Sequence, residues 1–109
     1  MLGLDKVAVL DGVEKFRLAL ANQGIRASRI ILFGSYVRGD WHEGSDIDLA
    51  IVSPDFEGKG FWERVEMLAQ AICEVWLPIE ALAYTPAEWE EGESLAIDFA
   101  KQGEVVYSE

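Results

Sequence analysis

Cysteine occurs once in the 109 residues, at Cys73, and histidine once, at His42. A single thiol excludes an internal disulfide. One cysteine and one histidine also exclude a cysteine-rich zinc site and a metal site built from clustered histidines. Positive charge is scarce, with 9 lysines and arginines against 20 aspartates and glutamates and a formal net charge of −11. Broad nucleic-acid binding depends on lysine and arginine neutralising phosphates, so this balance argues against it, and no basic stripe with interleaved aromatics is present. The acidity suits a basic partner, or simply a solubilising surface. No apolar run reads as a secretory signal or a membrane span, so no membrane partner is expected and the cytoplasm is the default location. Repeats, linkers and low-complexity tracts are missing too. Residues 1–109 therefore read as one domain, half hydrophobic, with enough apolar residues for one core but not two.

The informative stretch runs Ile30-Ile31-Leu32-Phe33-Gly34-Ser35-Tyr36-Val37-Arg38-Gly39, then a polar loop, then Ser45-Asp46-Ile47-Asp48-Leu49-Ala50-Ile51-Val52. The run from Ile30 to Phe33 is apolar, β-branched and too short for a helix, which predicts a buried strand. Gly34 ends it, with the freedom to bend sharply and to let a ligand approach the backbone. Ser35 is placed to cap the next helix, and its hydroxyl and neighbouring N–H groups can also hold a phosphate. Arg38, one turn on, carries a charge that fits a triphosphate. On a strand, Asp46 and Asp48 share one face with Cα atoms roughly 6.5–7 Å apart, while Ile47, Leu49 and Ile51 face the core. Two carboxylates so close repel when both are ionised. A divalent cation relieves that repulsion, and Mg²⁺ prefers one or two protein carboxylates plus phosphate oxygens and water. Taken singly, these features fit an ordinary strand-to-helix turn and two solvated aspartates; the combination and its spacing carry the argument.

Elsewhere, 4–22 has helical spacing through Leu4, Val7, Val13, Phe16 and Leu20, with Gly24 placed as the C-terminal cap and Gly12 weakening the middle slightly. Gly58-Lys59-Gly60 lacks the serine or threonine and the upstream glycine of a P-loop. A helix is expected over 61–75 with Val65, Leu68, Ala69 and Ile72 inward and Cys73 as a small core residue. A strand follows over 77–84, then a turn at Thr85-Pro86 opening a short helix, a helix over 94–102 closed by Gly103, and a last strand over 104–107. The order α-β-α-β-α-β-α-β predicts an α/β (α+β) fold with a small mixed sheet flanked by helices. Of the four tryptophans, Trp41, Trp62 and Trp89 fall at loop or helix starts; a partner surface and local core caps explain that equally well. His42, in the polar loop, reads as solvent-exposed.

Gly34-Ser35-x-x-Arg38-Gly39 followed by Ser45-Asp46-Ile47-Asp48-Leu49 resembles the signature of the DNA polymerase beta nucleotidyltransferase superfamily, with Val37 where alanine is common. The small size is similar to its minimal nucleotidyltransferase branch, whose members often act as antitoxins paired with HEPN-domain toxins. The resemblance implies a polymerase-beta-like core with Gly34, Ser35 and Arg38 binding the nucleotide. It also implies a third carboxylate on a later strand, which would join Asp46 and Asp48 in holding Mg²⁺ and in catalysis. The candidate is Glu80, where aspartate is the commoner residue; an edge-strand glutamate facing water is the other reading. Larger members carry further domains that grip base or template, so the site here is expected to be open on one side or completed by another chain.

Three functions are in play. In the first, ATP supplies AMP to a hydroxyl of a partner protein, such as a tyrosine on a HEPN-type toxin, and the chain is the antitoxin. In the second, the chain neutralises a toxin by contact alone and the nucleotide site is vestigial. In the third, which the missing acceptor domain disfavours, the acceptor is a small molecule. Oligomerisation, with copies of itself or with the partner, is left open.

Overall fold

The computed structural model describes residues 5–40, 45–92 and 94–109. Helix α1 (Lys6–Asn22) starts where the Asp5 carboxylate accepts a hydrogen bond from the Ala8 N–H at 2.8 Å, satisfying one of the otherwise unpaired N–H groups of the first turn. Its buried stripe is Val9, Val13, Phe16 and Leu20, in steps of four, three and four. Val7, expected in that stripe, is 76% exposed, because it lies two residues before Val9 and so on nearly the opposite side of the helix. Leu4 lies outside the described residues. Gly24 follows the helix with φ +86°, the left-handed conformation that glycine adopts without penalty. Gly12 is buried, and a Cβ there would run into the Leu77 side chain; a glycine lets α1 lie close to that segment.

Strand β1 (Arg29–Phe33) leads through Gly34 into the short helix α2 (Ser35–Arg38), and strand β2 (Ile47–Val52) follows. A 3₁₀ turn (Pro54–Phe56) connects to α3 (Phe61–Val75), then come β3 (Ile79–Tyr84), α4 (Pro86–Glu91), α5 (Leu95–Lys101) and β4 (Glu104–Ser108). The four strands form one mixed sheet in the order β3-β2-β1-β4, with β2 and β3 parallel and β1 antiparallel to both its neighbours. This is the small mixed sheet flanked by helices that the sequence predicts.

The alternation of side chains along each strand separates two faces. Ile30, Leu32, Ile47, Leu49 and Ile51 pack with α1 and with Leu68 and Ala71 of α3 in the larger core. Each such side chain, fully buried, contributes on the order of 1.5–3 kcal/mol. Ile31, Ala50 and Val52 face the other way, under Trp89 of α4 and Ile97 and Ala100 of α5. Two short helices do not cover a whole sheet face, and the end that carries Phe33, Asp48 and Glu80 stays accessible.

Several side chains depart from the sequence expectation. On α3 Leu68 and Ala71 are buried and Ile72 packs partly buried against the same core, whereas Ala69 and Val65 are exposed. Cys73, two positions beyond Ala71, is turned outward and exposed rather than in the core. Trp62 is 74% exposed at the start of α3, while Trp89 is a core residue. Trp41 and His42 lie outside the described residues. No described helix is long and apolar enough to cross a membrane.

Candidate functional site

Gly34 joins β1 to α2 with φ +78°, a region from which a side chain is largely excluded. A second constraint acts on the same atom: a Cβ on Gly34 would land on the Asp48 carboxylate. The glycine thus makes the turn and leaves room for the carboxylate of the neighbouring strand. The Gly34 carbonyl accepts from the Val37 and Arg38 N–H groups at 3.1 and 3.0 Å, which closes the single turn of α2. Gly34 itself is the N-cap, and Ser35 is the first helical residue with no capping bond from its side chain. The expected serine cap is therefore corrected: a cap residue must stand outside the helical conformation, and Gly34 holds that place.

The sheet register brings the carboxylates together. Asp48 of β2 is the lateral partner of Glu80 on the parallel strand β3 and of Phe33 on the antiparallel strand β1. Glu80, Asp48 and Phe33 therefore form a row across three strands on one face, spaced by roughly 4.8 Å per strand. Glu80 stands on an edge strand and is exposed, yet it is also the neighbour of Asp48. Asp46 precedes the first strand residue, Ile47, and is exposed. An open cleft of about 570 Å³ is lined by Gly34, Ser35, Arg38, Asp46, Asp48 and Glu80, together with Phe33, Asp40, Ser45 and Phe99.

The cleft is electrostatically unbalanced at Asp48. Partial burial, the negative charge of Glu80, the hydrogen bond that a protonated Asp48 donates to Glu80, and the charge of Asp46 together push its pKa up to about 6, against a smaller opposing pull from Arg38. Arg38 is exposed; its Nε donates to Asp40 Oδ2 at 3.3 Å, and its guanidinium lies 5.9 Å from the centre of the Phe99 ring. Among the described residues, no three histidine, cysteine, aspartate or glutamate side chains form a ready-made cation cage. The donor set nevertheless fits a hard divalent cation, which takes only one or two carboxylates and completes its shell with phosphate oxygens and water. Partial burial is the largest cause of the raised Asp48 pKa, and the neighbouring charges of Glu80 and Asp46 add to it; it is those charges that such an ion would offset.

Phe33, Asp40, Ser45 and Phe99 line the cleft although the sequence did not single them out. Phe33 was visible as the last residue before Gly34, but its place beside Asp48 depends on strand register. Phe99 is brought there only by tertiary packing, and no local signal marks it.

Residues 13–106 match the family model described as a nucleotidyltransferase domain. A candidate protein adenylyltransferase of Methanocaldococcus jannaschii is 61% identical over 33 residues, which are 29% of this chain and 33% of that protein. The protein adenylyltransferase MntA of Shewanella oneidensis is 43% identical over 44 residues, 39% of this chain and 32% of that one. The aligned stretches thus span about a third of each curated relative. A candidate nucleotidyltransferase from Sulfolobus solfataricus superposes with a TM-score of 0.71 at 18% identity, over 94% of this chain and 82% of its own. A chain of a toxin–antitoxin assembly crystallised with AMP-PNP superposes with a TM-score of 0.62 at 19% identity, over 92% of this chain and 73% of its own. At these identities the two structures establish the shared fold.

Proposed function

The chain belongs to the nucleotidyltransferase domain family, and from that premise we propose that it transfers AMP from ATP to a hydroxyl group of a partner protein. The observation that carries the reading is the convergence of Gly34, Ser35, Arg38, Asp46, Asp48 and Glu80 on one open cleft. The names of the two curated relatives support a protein acceptor. The toxin–antitoxin neighbour with its bound nucleotide analogue supports a toxin as that protein and this chain as the antitoxin. Our reading of the acceptor is a hydroxyl side chain, such as a tyrosine, on a HEPN-type toxin.

Arg38 and the Ser35 hydroxyl bind the triphosphate, and Gly34 lets it approach the backbone. Asp46, Asp48 and Glu80 would hold Mg²⁺, which when bound neutralises charge on the carboxylates and the triphosphate. The acceptor oxygen attacks the α-phosphorus, and its proton passes to a carboxylate of the Asp48–Glu80 pair. The bond from the α-phosphorus to the oxygen bridging to the β-phosphorus breaks, and pyrophosphate departs. Glu80 is one methylene longer than aspartate, and its position beside Asp48 on the neighbouring strand keeps its carboxylate on this face of the sheet.

The test is transfer of label to the toxin from ATP carrying it at the α- or the γ-phosphate. Label arriving from the α-position alone, and lost with Asp46→Ala, is the expected result. Full masking of the toxin by Asp46→Ala with no label transferred would overturn the enzymatic reading in favour of contact alone.

A further inference from the structure

Helix α5 packs on the sheet through Ile97 and Ala100. Phe99 lies off that face and is 48% exposed. A lone exposed phenylalanine is ordinary, but this one is embedded in the site. It lines the same cleft as Asp46, Asp48 and Glu80. Its ring meets Phe33 edge to face, with centroids 6.0 Å apart and planes at 79°. The Arg38 guanidinium sits 5.9 Å from its centroid.

The row Glu80, Asp48, Phe33 crosses three strands, and Phe99 packs edge to face against its Phe33 end. The cleft therefore has a carboxylate end and an aromatic end, with Phe33 one strand spacing, roughly 4.8 Å, from Asp48. Arg38 contacts the aromatic end and lines the same wall as Ser35. A nucleotide has the same layout, a charged phosphate chain joined through one sugar ring to a flat base.

We propose that Phe99 is the stacking platform for the nucleobase, buttressed edge-on by Phe33, with Arg38 at the boundary between base and phosphates. The proposal rests on the cleft being a nucleotide site. Stacking uses the π face that every base presents and so does not select among bases. The platform accepts adenine and guanine alike.

The test is calorimetric titration of the full chain with ATP and, separately, with inorganic tripolyphosphate, both with Mg²⁺. The proteins compared are the wild type, Phe99→Ala, Phe99→Leu and Phe99→Tyr. We expect Phe99→Ala and Phe99→Leu to weaken ATP about tenfold or more, to leave tripolyphosphate unchanged, and Phe99→Tyr to keep ATP affinity. Unchanged ATP affinity in Phe99→Leu, which retains the apolar bulk but not the ring, overturns the proposal even if Phe99→Ala fails to fold. An equal loss for both ligands also overturns it, since Phe99 would then act by positioning Arg38. A wild type that binds tripolyphosphate as tightly as ATP removes the base platform and leaves the phosphate site standing. A wild type that binds neither removes the nucleotide reading itself.

Discussion

Gly34 and Asp48 answer to each other. The glycine has a positive φ, and the space its Cβ would fill holds the Asp48 carboxylate. Gly34→Ala therefore meets both a backbone penalty of about 1–3 kcal/mol and a displaced carboxylate. We expect a lower denaturation midpoint together with loss of transfer, and a variant that kept both would contradict this role. Asp48 has the opposite signature. Its folded pKa, about 6, lies above the ordinary aspartate value, so its contribution to stability is present in acid and is lost as pH rises through about 6. At pH 7 Asp48→Asn should raise stability by about 1 kcal/mol, allowing for screening at a partly exposed site, while abolishing transfer. Added Mg²⁺ should raise the thermal midpoint of the wild type and not that of the variant. Equal responses to Mg²⁺ would show that the ion binds elsewhere.

Elements end and begin through residues whose roles can be tested separately. Helix α3 stops at Trp76, a non-glycine residue at φ +56° with its side chain 90% exposed. Trp76→Gly should relieve the left-handed conformation and stabilise the fold by roughly 0.5–1 kcal/mol, part of the relief being offset by the greater freedom of glycine in the unfolded chain. A fall in the denaturation midpoint would mean that the indole contributes packing. Helix α4 starts with a reciprocal cap: Thr85 N–H donates to Glu88 Oε1 at 2.8 Å and Glu88 N–H to Thr85 Oγ1 at 3.1 Å. Glu88 also accepts from Arg64 at 2.6 Å, and chiefly that bond holds its pKa below the usual glutamate value. Its stabilisation is present above the ordinary glutamate pKa and is lost as pH falls through the lower folded value. Glu88→Gln should therefore flatten the acid limb of the stability profile, and an unchanged limb would contradict it. Much of this level was legible in sequence. Gly24, Thr85-Pro86 and the Ile47-Leu49-Ile51 alternation carry their own local signals. The inward faces of α1 and α3 were partly misassigned because Val7 and Ala69 are apolar yet turned to solvent, and hydropathy cannot tell such a residue from one a quarter-turn away.

At the scale of the whole molecule, the site is a product of topology. Asp46 and Asp48 could be paired from spacing alone, and Ser35 and Arg38 from the turn. Glu80 reaches them because β3 runs parallel beside β2 in the register Asp48↔Glu80, and Phe99 arrives only because α5 packs back across the sheet beside β1. No window of sequence contains those relations. A net charge of −11 adds a global cost to binding a triphosphate, which makes the cation and Arg38 central to the account. The most direct test is calorimetric titration of the wild type and of Asp48→Asn with ATP, with and without Mg²⁺. The account predicts saturable binding by the wild type that requires Mg²⁺ and is lost in a variant that still unfolds cooperatively. Equal binding by both proteins, or binding by neither, would contradict it.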